Sequence, residues 1–541
     1  MALEVQHIFL DGLNCYEKSI LSVISWLGYD YELAFSESWG FKLDYHQELW
    51  GYKIDPDSHF CDELLESYHG ISLSIGNQIP INEFLELVEN ELMKNLPVVI
   101  LHDPFWCPWD KFYQKRHSSG HAFIVNGIEK GTLDIECSDP WYDKHNLRLC
   151  RNDIKNGLLR YITFHPLDSK PKEFDWKQML LQAVRKLEIW DERVDSFDSI
   201  RLFGQQLGIG LDLRLEFGDQ VDNIWYSPLY SKINMLRNNR YKFSKALQFL
   251  ARVYHQPELE DLSSQFNICA SKWLIINQML AKAYVLQNVY RGFDKISKRI
   301  MDIADMEELF AKRLYNLAHE DSKESLACSL YKNNDVLKSN IDSIHPLLYM
   351  VDLKQYLNNN GLDTNIEINS LANFTGNGKY LFIEDGSMLR TIKVENMQFR
   401  FPQVDYGVKD NISCEGQEIL LYIGACESIM LLGCCEYGNF TDYFNISYHD
   451  GDDEKILVSL TDSWECNPKF GEAVALRVRE VEKRGVEVIA KEEVHGIYAC
   501  EYRLCKKKRL KSIHLPDCPN MHLFAITLQG CVIANNNYEQ Q

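Results

Sequence analysis

The sequence predicts a multidomain fold: a mixed α+β domain over residues 1–167, an all-α domain with its linker over 168–345, and a β-sandwich or jelly roll over 346–541. Three observations carry that reading. At 541 residues the chain is too long for a single hydrophobic core. Its apolar period changes twice, from a mixture, to long stretches of helical spacing, to short alternating runs. The second change follows a polar stretch, HEDSKES at 319–325, where few contacts are expected to cross, so the C-terminal domain is expected to be separable there.

Taken in order, Tyr16 to Leu27 places Ile20, Leu21, Val23, Ile24 and Leu27 at helical spacing and stops at Gly28. Ile81 to Leu96 repeats that period until Pro97 ends it. The runs VVIL at 98–101, HAFIVNGI at 121–128, LDIEC at 133–137 and LRYITFHP at 159–166 read as strands separated by turn residues, which predicts an antiparallel sheet. Phe174 to Trp190, Ser227 to Tyr254, Glu258 to Val289 and Phe293 to Ala318 read as long amphipathic helices. From about Pro346 the period becomes two in QFRFPQV, EILLYIG, SIMLLGCC, YFNISYHD, KILVSLTD, IYACEYRL and HLFAITL, which predicts a sandwich.

A net charge of −21, spread rather than blocked, argues against nucleic acid or an anionic membrane as partner. The basic run KKKRLK at 506–511 falls between two predicted strands and reads as a solvated turn. No apolar run is long enough to span a bilayer, and Met1 to Leu10 lacks the pattern of a secretion signal, so a cytoplasmic protein is expected. The 16 cysteines lack C-x-x-C pairs, which favours free buried thiols over disulfides or structural zinc. No cofactor and no metal is implied.

The chemistry concentrates in two stretches, NCYEKSIL at 14–21 and SSGHAFIVNGIEKGTLDIECSDPWYD at 118–143. Cys15 opens a predicted helix, whose N-terminus stabilises a thiolate and offers N–H groups to an oxyanion. His121 opens a strand behind Gly120, and Asp139 closes the next one. A thiol needs an imidazole to take its proton and a third group to hold that imidazole, and Cys15, His121 and Asp139 fit those roles. The bland readings are an inert thiol, a strand-edge histidine and an Asp-Pro turn. His117 and His121 form H-x-x-x-H, but SSG between them argues against the helix that a metal pair would need. The aromatic segment PFWCPWDKFY at 104–113, which contains Cys107, reads as a self-packed loop or as a wall of an acyl pocket.

NCYEKS, SWGF at 38–41, H-A-F-I-V-x-G and D-P-W together resemble the butirosin biosynthesis protein H N-terminal-like family, a papain-like relative of bacteriocin-processing cysteine peptidases, and the helical stretch resembles that family's second domain. The resemblance covers about residues 7–318. It implies transfer of an acyl group from a carrier-protein thioester to an amine, with Cys15 as nucleophile, His121 as base and Asp139 as orienting acid. The peptidase relatives place an oxyanion glutamine a few residues before the cysteine. Here the region reads QHIFLDGLN, and Gln6 and Asn14 are the candidates. The family's glutamate after the cysteine is displaced to Glu17, with Tyr16 before it.

The expected partners are an acyl or peptidyl carrier protein and an amine acceptor, with a homo-oligomer as a further expectation. Lys111, Lys115 and Arg116 form the nominated patch for an acidic carrier. VDLKQYLNNNGL, FRFP, DNISCEGQEI, LLGCCEYGNF and LPDCPNMHLFAIT resemble a non-catalytic β-sandwich module of some bacterial glycoside hydrolases, implying an accessory or sugar-binding role. The rival functions are a cysteine peptidase or thioesterase, with water as acceptor, and a non-catalytic scaffold binding carrier protein and sugar.

Overall fold

The computed structural model describes residues 2–129, 131–167, 174–188, 195–218, 224, 227–286, 292–319, 348–376, 378–384, 391–421, 423–465, 467–484 and 487–530. The sequence-predicted helix ends at Trp190 and Val289, and most of the polar stretch at 319–325, lie outside them.

The first domain is a six-stranded sheet with a helix on each face. Its strands are β1 (Ile71–Asn77), β2 (Val98–His102), β3 (His121–Ile128), β4 (Ile135–Asp139), β5 (Lys144–Leu149) and β6 (Leu158–Pro166), in the order β1-β6-β2-β3-β4-β5 with every pair antiparallel. Helix α1 (Cys15–Trp26) buries Ile20, Leu21, Val23 and Ile24 against Val99, Ala122, Ile124 and Ile162. Helix α2 (Ile81–Met93) packs Phe84 and Val88 on the opposite face, against Val98, Ile100, Phe123 and Val125. Because β2 and β3 are covered on both sides, each carries a continuous apolar run, VVIL in β2 and AFIV in β3, rather than an alternating one. Strand β1, ISLSIGN, is absent from the sequence-based reading; its serines and glycine dilute the strand signal, and it is held by pairing with β6.

The middle domain contains α3 (Trp176–Glu188), α4 (Ser196–Gly210), α5 (Pro228–Tyr254), α6 (Pro257–Leu286) and α7 (Phe293–His319). Helix α4 also escapes the sequence-based reading, because its glycines lower helix propensity. Two of them serve close packing: a Cβ on Gly204 would stand 3.1 Å from Ile300, and one on Gly208 would stand 3.1 Å from Ser297 of α7.

The SWGF stretch is where the first two domains lock. Glu307 of α7 is fully buried and accepts from Arg240 Nε at 2.9 Å, Arg240 Nη2 at 2.8 Å, Trp39 Nε1 at 2.8 Å and Trp273 Nε1 at 3.1 Å. Arg240 Nη1 donates onward to the Gly40 carbonyl at 2.8 Å. A buried charge pair is tolerable only when its remaining lone pairs and protons are satisfied, as they are here.

The C-terminal domain stacks an eight-stranded sheet on a four-stranded one. In the strand Ser428–Cys435 every residue is buried. Ile429, Leu431 and Cys435 face the four-stranded sheet's Phe444 and Ile446, while Met430, Leu432 and Cys434 face the cluster around Ile392 and Phe399 of a separate hairpin. Lys506, Lys507 and Lys508 of the KKKRLK run lie between strands and pair with Asp452, Glu427 and Asp450, while its Leu510 and Lys511 already belong to the strand Leu510–His514.

Contacts cross the boundary at which few were expected. One apolar core runs from α6 and α7 into the sandwich. Across the junction Lys282 donates to the buried Glu436 at 2.7 Å and to the Pro519 carbonyl at 3.2 Å, and Lys295 meets Asp517 at 3.0 Å. The polar stretch marks a break in sequence pattern, not in packing. No helix among the described residues is long and apolar enough to cross a membrane.

Candidate active site

Cys15 is the first residue of α1. Asn14 caps the helix, its Oδ1 accepting from Glu17 N at 2.9 Å, while Glu17 Oε2 accepts from Asn14 N at 3.0 Å. This reciprocal capping box fixes the first turn. Ser19, fully buried one turn on, donates to the carbonyls of Cys15 at 2.9 Å and Ala122 at 3.1 Å, tying the helix to the strand that carries His121.

His121 follows Gly120, whose φ of +123° lies where a side chain is strained, and where a Cβ would stand 2.7 Å from Leu101. The β3–β4 register pairs Ile124 with Ser138, so Asp139 falls opposite Phe123 and on the same face as His121. His121 Nε2 and Asp139 Oδ2 are 2.6 Å apart, and both residues are buried. The ring is also electrostatically coupled to the Cys15 thiol. Asp139 further accepts from Trp109 Nε1 at 2.7 Å and from the Trp141 and Tyr142 N–H groups at 2.9 and 3.3 Å. Sequence reasoning missed Trp109. The aromatic segment around it is a loop that donates to the acid, and Cys107 within it is buried.

The electrostatics separate Cys15 from its neighbours. Burial pushes its thiol up, but hydrogen bonds from His121 and the Ala122 backbone outweigh it, and the net shift is downward. Cys61, Cys107, Cys137 and Cys150 all shift upward, chiefly through burial. His121 shows the complement: burial lowers it, Asp139 and Cys15 raise it, and it ends at about 9. The two shifts run in the directions that favour a thiolate beside an imidazolium, and the titrations belong to the pair.

A second imidazole stands directly across the ladder, since His102 pairs with His121. Its Nε2 lies 3.1 Å from the Asp153 carbonyl, and burial pushes its pKa down to about 4, so it is a neutral packing group. His117 is not brought to His121. It hydrogen-bonds to Asp103 at 2.6 Å and stacks on Phe105. Among the described residues one grouping has metal-ligand chemistry, His7, Asp143 and His145, with ligand atoms within 4.8 Å of one another. The two imidazoles are stacked at 3.9 Å and 11°, so their in-plane lone pairs run nearly parallel instead of converging on an ion.

The two oxyanion candidates differ in their surroundings. Asn14 Oδ1 is committed to the cap, and Gln6 is exposed, while its neighbour His7 is the buried one.

Compared with known proteins, residues 351–531 match the family model of the AziU2-like beta-sandwich domain. That match covers the C-terminal domain and agrees with its two stacked sheets. No curated protein matches the chain.

Proposed function

We propose that this chain is a cysteine-dependent acyltransferase of papain-like type, forming an amide from a carrier-protein thioester and an amine in natural-product assembly. The observation that carries the reading is the Cys15–His121–Asp139 arrangement, with a thiol pKa lowered beside an imidazole raised to about 9. The Cys15 thiolate attacks the thioester carbonyl, the carrier thiolate leaves, and the His121 imidazolium supplies its proton. The amine then attacks the acyl-Cys15 carbonyl, gives a proton to His121, and the Cys15 thiolate departs as the C–N bond forms. Asp139 keeps the ring oriented throughout. Glu17 N–H is taken by the cap and Tyr16 N–H by the Cys15 sulfur, so the Cys15 N–H is the first-turn donor assigned to the oxyanion.

Support for an acidic carrier comes from the cations around the site. Lys18 lies over the exposed Trp141 ring, Lys144 over Tyr142, and Lys111 and Arg116 over Phe112, with Tyr142 itself 5.4 Å from His121. Lys115 is exposed beside them. The sandwich is assigned an accessory role, with sugar binding as its sharper form.

The test is intact mass after mixing the full chain with S-acyl-N-acetylcysteamine thioesters in the absence of amine. An acyl adduct on Cys15, lost in Cys15→Ala and discharged by added amine, is the expected result. Release of free acid with no dependence on amine makes the protein a hydrolase. No reaction with any acyl thioester removes the enzyme reading.

A further inference from the structure

The nucleophile's cap is not closed within its own domain. Glu17, which holds the Asn14 N–H through Oε2, uses its other oxygen to accept from Lys242 of α5 at 2.5 Å, and both side chains are about nine-tenths buried. The loop before Cys15 meets the same helix: a Cβ on Gly12 would stand 3.3 Å from Asn238, and Arg237 lies 3.8 Å from Asp11. Two residues before Lys242, Arg240 is anchored in the Glu307 network and on the Gly40 carbonyl. Helix α5 is therefore fixed by one buried ion pair and reaches the nucleophile through a second.

We infer that Lys242 is a positioning residue, and that the helical domain clamps the Cys15 helix cap and balances its charge. Glu17 sits two residues from the sulfur, and its carboxylate opposes a thiolate there. With Lys242 paired to it the local charge is cancelled, and the Tyr16 N–H at the helix start acts on the sulfur unopposed. The other charged groups around the thiolate are His121 from β3 with Asp139 behind it, Lys18 on α1, and the Asp11–Arg237 pair across the loop. Those remain when Lys242 is removed. The clamp explains why a domain that contributes no member of the triad is packed against it. The inference rests on the proposed thiolate nucleophile.

The experiment is the pH profile of iodoacetamide alkylation at Cys15, read by peptide mass in the full chain for wild type, Lys242→Met and Lys242→Arg. For Lys242→Met the profile is expected to move to higher pH, with alkylation at pH 6 slowed about tenfold, which corresponds to one unit of thiol pKa. Lys242→Arg restores the wild-type profile by keeping the charge. Glu17→Gln combined with Lys242→Met removes the stranded carboxylate and returns the profile toward wild type, an outcome that a merely structural role for Lys242 does not produce. Should Lys242→Met fail to fold, Lys242→Gln carries the same expectation. A folded Lys242→Met or Lys242→Gln protein with an unshifted profile overturns the clamp while leaving the nucleophile reading intact. A wild-type profile like that of an ordinary thiol overturns both.

Discussion

Among the described residues two carboxylate–histidine pairs are buried, each with cysteines close by, and only one of them has the properties of a reactive site. In the first domain Asp139 holds His121 at 2.6 Å, and against the lowering effect of burial His121 is raised to about 9, by Asp139 first and by the half-buried Cys15 second. In the sandwich Glu436 lies 3.3 Å from His522, and both are completely enclosed. There burial pushes His522 down, while Lys282 neutralises Glu436 and holds it low against the opposing effect of its own burial. His522 Nδ1 is occupied by Asn411 at 2.8 Å. Cys435 and Cys518, near Glu436, shift upward, Cys518 to about 12. Proximity of acid, imidazole and thiol is therefore not enough. A partner that balances the carboxylate charge leaves the histidine neutral, and access to the surface decides whether a thiolate is of use.

Substitutions that break this contrast come first in size. His121→Ala is expected to lower acyl-enzyme formation about 10,000-fold or more, because triad members act as a unit. Asp139→Asn is expected to cost about a hundredfold less than that, since the acid orients and does not react. His522→Asn leaves the rate unchanged. Single-turnover acylation of the three proteins measures all of this, and a His522 effect as large as that of His121 erases the distinction.

The reciprocal prediction concerns stability. Lys282→Met strands a buried Glu436 and is expected to destabilise the fold by about 3–5 kcal/mol, seen as a lowered denaturant midpoint. Lys282→Met combined with Glu436→Gln recovers most of that loss. Truncation after His319 uncovers the faces of α6 and α7 that pack on the sandwich, and the shortened chain is expected to aggregate. A stable monomeric truncation contradicts the shared core.

Much of this organisation is legible in sequence. The helix opened by Cys15, the strand opened by His121 and the aspartate one hairpin on are local signals, and the structure brings those three residues together. Features built from distant residues are not legible. Lys242 meets Glu17 across 225 positions and Trp39 meets Glu307 across 268, and no periodicity encodes such pairs. Trp109 reads as one aromatic among several until the fold turns its N–H toward Asp139. The polar stretch after Ala318 misleads in the opposite sense, because a break in composition says nothing about which surfaces later meet.

A smaller effect sharpens the site itself. The pair is competent only while the thiol is ionised and the imidazole is protonated, so acylation is expected to persist below the range of an ordinary thiol and to decline as the pH rises through about 9, where His121 loses the proton it gives the leaving group.

The central claim, that Cys15 is a thiolate beside a protonated His121, is tested most directly by the thiolate absorbance near 240 nm of the full chain minus that of Cys15→Ser, followed across pH. The account predicts a difference signal already present at neutral pH and lost only in acid, below the ordinary thiol range. A signal that first emerges between about pH 8 and 9, as for a free cysteine, contradicts it.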